Sequence, residues 1–88
     1  MKPIINQNLF FQWIKKLNPA VNIDKIDIHT SLLDSRILDS FSILELIQVI
    51  EESLNIIFDY TDFNKNNFQN INTIIQLLVF KYDCKISD

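Results

Sequence analysis

With 88 residues, 48% of them hydrophobic and 22% charged, the chain is expected to form one domain over residues 1–88, near the size at which a single core just suffices without metal or disulfide support. Its one cysteine, Cys84, excludes an internal disulfide framework and a cysteine-based metal site. The net charge of −3 is uneven: residues 34–59 carry Asp34, Asp39, Glu45, Glu51, Glu52 and Asp59 against Arg36 alone, whereas residues 1–33 carry four lysines against Asp24 and Asp27. An acidic middle repels nucleic-acid phosphates and steers basic protein surfaces toward it, so no nucleic-acid partner is expected.

The first helical pattern runs from about Asn6 to Leu17, where Leu9, Phe10, Trp13, Ile14 and Leu17 recur at helical spacing and Asn18-Pro19 stops it. Residues 18–38 sustain no period; Val21, Ile23, Ile26 and Ile28 stand among polar residues and read as pins holding a long loop to the core. Loops of that length in small domains are usually functional when ordered. A second helix is expected from Ser40 to Leu54, closed by Asn55, which takes the left-handed cap position in a chain without glycine. The Asn- and Asp-rich stretch from Tyr60 to Phe68 suggests one short helical turn or two, and a last helix is expected from Ile71 to Tyr82, with Ile71, Ile74, Ile75, Leu78 and Tyr82 on one face. The fold expected is all-α: a small four-helix bundle of three main helices plus a short third helix, with a long loop between helices one and two and no strand of consequence.

No apolar stretch approaches the roughly 20 residues of a spanning helix. Nor does Met1 to Asn6 lead into a long apolar region with a small-residue cleavage site, so a cytoplasmic protein is expected.

Leu38-Asp39-Ser40-Phe41-Ser42 hands a hydroxyl to the first turn of the second helix. A helix start offers unpaired backbone N–H groups and the positive end of the macrodipole, which favours a phosphate esterified to Ser40; a serine there also serves as a plain N-cap. Ser35 likewise follows an aspartate, Asp34, but helical periodicity begins only after Ser40, and Ser42 lies inside the first turn as a capping neighbour. At about 100° per residue, Ile43, Leu46, Ile47, Ile50 and Leu54 share one sector. Phe41, Leu44, Glu45, Gln48, Glu51 and Glu52 fall opposite, leaving two large apolar side chains among acids. Such residues either flank the core as ordinary exposed hydrophobics or form a small apolar patch for transient docking by partners with basic rims.

The run from Ser31 to Leu46, with Glu51-Glu52-Ser53-Leu54-Asn55-Ile56 after it and Asn67-Phe68-Gln69-Asn70-Ile71-Asn72-Thr73-Ile74 further on, resembles the acyl carrier and peptidyl carrier protein family, in its stand-alone form. The resemblance implies that Ser40, preceded by Asp39, receives a 4′-phosphopantetheine arm from coenzyme A through a phosphopantetheinyl transferase. It implies further that the arm's thiol carries acyl or aminoacyl groups as thioesters, supplied by an adenylating or acyl-loading enzyme and passed to a downstream acyltransferase or synthase. A monomer that catalyses nothing itself is the form implied. Asn55 departs from the glycine often found after the second helix, Phe58-Asp59 lacks the proline common there, and Ser42 and Gln48 make the outward face less acidic than in fatty-acid-synthesis carriers.

No other motif suggests catalysis. His29 has no Cys or His partner at ligand spacing, so no metal site is expected. Cys84 lies near the chain end as a bystander thiol, and Trp13 belongs to the apolar face of the first helix. The reading from another class is a helical interaction module of carrier-like fold that is never modified and acts through Phe41, Leu44 and the surrounding acids.

Overall fold

The structure, a computed structural model, describes residues 2–87. Helix α1 spans Gln7–Leu17 and begins where the Asn6 side chain accepts the Leu9 N–H at 2.9 Å, satisfying one of the donors left over at any helix start. It ends at Asn18, whose side-chain amide donates to the Ile37 carbonyl at 2.8 Å and so ties the helix end to the segment just before Ser40. Phe10, Trp13 and Ile14 face inward, with the Phe10 and Trp13 rings edge to face at 5.0 Å. Leu9 and Leu17 are half-buried at the margin of that face.

Helix α2 spans Ser40–Leu54, lies against α1 and buries Ile43, Leu46, Ile47 and Ile50 in the core. It stops at Asn55, which adopts φ 55° and ψ 49° and fills the left-handed cap position expected of it. Helix α3 spans Ile71–Lys81 and starts with a reciprocal capping box: the Thr73 N–H donates to the Asn70 side chain at 2.8 Å, and the Asn70 N–H donates to the Thr73 hydroxyl at 3.2 Å. Ile71, Ile74, Ile75 and Leu78 are buried, and Tyr82 caps the end half-buried.

The long α1–α2 connection is ordered. Val21 is buried as a pin while Ile23, Ile26 and Ile28 are half-buried; Leu32, Ile37 and Leu38 complete the anchoring. Backbone hydrogen bonds from Leu32 to Gln69 and from Asn72 to Ile28, each 2.9 Å, stitch this loop to the approach of α3.

The one or two short helical turns expected from Tyr60 to Phe68 are present as a 3-10 turn at Tyr60–Asp62 and a turn closed by the Phe68 N–H on the Asn64 carbonyl at 3.3 Å, and they extend no further. Side chains supply the reason: Asn64 accepts the Asn67 N–H at 2.9 Å and Asn67 donates to the Asp62 carbonyl at 3.0 Å, bonds that compete with a helical backbone ladder. The segment is held instead by an aromatic cluster in which Phe58 meets Tyr82, Phe68 and Phe63 edge to face at 5.0, 5.6 and 6.2 Å. Asp62, the one buried charged side chain among the described residues, completes the clamp. It accepts the Tyr82 hydroxyl and Lys81 Nζ, the latter at 2.9 Å; Lys81 also reaches Asp59 at 2.9 Å, and the Asp59 N–H donates to the Tyr82 hydroxyl oxygen at 2.8 Å.

One element was not anticipated. Ile4–Ile5 (β1) and Lys85–Ile86 (β2) pair in parallel, with Lys85 donating to the Pro3 carbonyl at 2.8 Å and Ser87 to the Ile5 carbonyl at 2.9 Å. A strand of two residues offers no alternation to read. The pairing also corrects the placement of Cys84 near a frayed end: the residue is buried, its N–H donates to the Leu78 carbonyl at 3.0 Å, and burial pushes its thiol pKa up, which makes the nucleophilic thiolate scarcer.

Candidate functional site

Ser40 is the first residue of α2 and is exposed. The capping residue is Asp39, whose carboxylate accepts the Ser42 N–H at 2.8 Å; hydrogen bonds from the Ser42 backbone and hydroxyl hold the Asp39 carboxyl below the usual carboxylate range. Capping is therefore not Ser40's task, and its hydroxyl makes no side-chain hydrogen bond among the described residues. Ser35 differs on both counts: it sits in a turn, and its hydroxyl donates to the Ser31 carbonyl.

Around Ser40 the outer face of α2 is arranged as its periodicity requires. Phe41 is 69% exposed and Leu44 61%, with Glu45, Gln48 and Glu52 also in solvent. The Gln48 amide lies 3.5 Å from the Glu52 carboxylate, a long and weak contact. Glu51 stands apart from this set, since it is half-buried and accepts the Phe58 N–H at 2.9 Å, tying α2 to the aromatic cluster.

Two depressions meet at the serine. One is an apolar trough of about 290 Å³ between α2 and the segment before α3, walled by Leu33, Ile43, Leu44, Ile47, Phe63 and Phe68. The other, of about 600 Å³, is mixed: Asp34, Arg36, Asp39 and Lys65 border it together with Leu33 and Leu38. Leu33, Ser40 and Lys65 border both.

No family model, curated protein or solved structure matches this chain.

The chemistry open to the site thus follows from its own groups. Ser40 offers a free, exposed hydroxyl, and the carboxylate beside it, that of Asp39, is engaged as a cap. His29 is an exposed loop residue whose N–H donates to Asp27 at 2.7 Å. Among the described residues no three His, Cys, Asp or Glu side chains gather as metal ligands would, and no helix is long and apolar enough to cross a membrane. Sequence reasoning missed Leu33, Phe63, Arg36 and Lys65 as neighbours of Ser40, because all four come from segments without a period to read. The one available signal was charge, in that Arg36 and Lys65 are the only lysine or arginine residues between positions 26 and 80.

Proposed function

We propose that the protein is an acyl or aminoacyl carrier bearing a phosphopantetheine arm on Ser40. The observation that carries this reading is the division of labour at the start of α2, where Asp39 caps the helix and leaves the Ser40 hydroxyl exposed and unengaged. In the modification, the Ser40 oxygen attacks the phosphorus of coenzyme A that bears the pantetheine. A new P–O bond forms, the pyrophosphate P–O bond breaks, adenosine bisphosphate leaves, and the serine proton passes to a base of the phosphopantetheinyl transferase. The arm's thiol then takes its cargo as a thioester from an adenylating or acyl-loading enzyme and yields it to an acyltransferase or synthase. A tether serves such transfers by replacing diffusion with a high local concentration at each partner's active site. Phe41 and Leu44 supply apolar contact for those partners, and Glu45 and Glu52 the charge that steers basic rims toward the serine.

Incubation with coenzyme A and a broad-specificity transferase, read by intact mass and peptide mapping, tests the proposal. One arm is expected on Ser40, retained in Ser35→Ala and lost in Ser40→Ala. Absence of any mass gain would instead favour a helical interaction module working through Phe41 and Leu44 without modification.

A further inference from the structure

The carboxylate of Asp39 occupies the start of α2 and takes the Ser42 N–H, so the helix end is already supplied with an anion. A phosphate placed on Ser40 would add a second negative charge beside Asp39 and a third with Asp34, which borders the same depression. Like charges gathered in this way repel unless cations compensate them. The chain has only two lysine or arginine residues between positions 26 and 80, Arg36 and Lys65, twenty-nine positions apart. The fold brings both to the depression bordered by Ser40, one from the loop before α2 and the other from the segment before α3. Both side chains are exposed, and among the described residues neither forms an ion pair or a side-chain hydrogen bond, in contrast to Lys81 and Lys2, which are ion-paired.

From this convergence we propose that Arg36 and Lys65 form a seat for the phosphate carried on Ser40. The inference rests on the carrier reading for its ligand and on the two cations for its site. Arg36 provides the planar fork that fits two phosphate oxygens and Lys65 a point charge on a flexible stem. They are positioning residues: they fix the first atoms of the arm against the protein and set the direction in which the rest leaves it.

Two measurements decide the matter, using wild type, Arg36→Gln, Lys65→Gln, the double variant, and Lys25→Gln as a control in the 3-10 turn at Ile23–Lys25. In the first, inorganic phosphate is titrated into the unmodified proteins in about 0.1 M chloride, which screens diffuse attraction beyond roughly 10 Å, and amide and Arg36 Nε resonances are followed by NMR. Saturable shifts at Ser40 and Arg36 are expected in wild type and in the control, weakened about threefold by each single substitution and absent from the double variant. In the second, the phosphorus resonance of the arm-bearing proteins is compared with that of a free phosphodiester. It is expected to be displaced in wild type and to return to the free position in the double variant. Shifts that persist in the double variant, or that are missing from wild type, overturn the seat. A wild-type chain that takes no arm overturns the carrier reading instead, and the phosphate titration then judges the seat alone.

Discussion

Glu51 accepts the backbone N–H of Phe58 at 2.9 Å, so one carboxylate of the acidic face of α2 is committed to holding the α2–α3 connection. Removing a charged acceptor from a half-buried amide costs about 1–2 kcal/mol, whereas truncating an exposed carboxylate shifts stability by about 0.5 kcal/mol or less. Glu51→Ala is therefore expected to lower the urea midpoint clearly and Glu45→Ala hardly at all. Equal midpoints for the two variants would return Glu51 to the solvated surface.

Phe41 and Leu44 contribute little to the core, being 69% and 61% exposed, while Ile47 one turn further along is buried. Phe41→Ala and Leu44→Asp should keep the circular dichroism and melting temperature of the wild type yet slow transfer of the arm or of cargo. Ile47→Asp places an unpaired charge in the core at a cost of several kcal/mol, comparable with the whole stability of a small domain, about 5–15 kcal/mol, and should unfold the chain. Loss of helicity in Leu44→Asp to the same extent as in Ile47→Asp would contradict the exposed placement.

Glu45 and Glu52 are exposed on the same face of α2. If they steer basic-rimmed partners, salt slows arm transfer, because exposed charges are screened over about 8–10 Å at 0.1–0.15 M. The double reversal Glu45→Lys/Glu52→Lys should be slower at low salt and nearly flat across a salt series. A double reversal that reacts at the wild-type rate throughout would assign docking to Phe41, Leu44 and the arm.

Asp62 sets an acid limit on stability. Burial raises its carboxyl pKa, but the hydrogen bond from Tyr82 and the hydrogen bond and charge of Lys81 outweigh burial, so the folded-state value lies below the ordinary one. With the folded pKa depressed, the unfolded chain binds more protons than the folded one over that interval. The stabilisation is thus complete above the unfolded value, about 3.9, and is lost as pH falls through the folded value. Urea midpoints measured from neutral pH down to pH 2 should fall more steeply in wild type than in Asp62→Asn, with Asp39, also depressed, contributing an equal slope to both. Parallel curves would show that the clamp draws nothing from the ionised carboxylate.

The helices could be read because each carries a buried face at helical spacing and two of them a chemically distinct stop: Asn18-Pro19 after α1, and Asn55 in the left-handed position after α2. The direction of α2 followed from the same spacing, which sends Ile43 and Ile47 inward and Phe41 and Leu44 outward. What periodicity cannot carry is contact between segments that have none. The trough wall at Phe63, the placement of Arg36 and Lys65 at one depression, and the commitment of Glu51 to Phe58 all depend on how the chain crosses itself between helices. Nor could the difference between Asp39 as cap and Ser40 as first helical residue be read, since either residue type caps well and one position of register separates them.

The parallel pairing of β1 and β2 determines how the domain bears tension. A pull on the two chain ends acts at the N-terminal side of β1 and the C-terminal side of β2, which in a parallel pair lie at opposite ends of the ladder. The bonds from Lys85 to Pro3 and from Ser87 to Ile5 are then sheared together and share the load, where an antiparallel pair pulled in the same way would open one bond at a time.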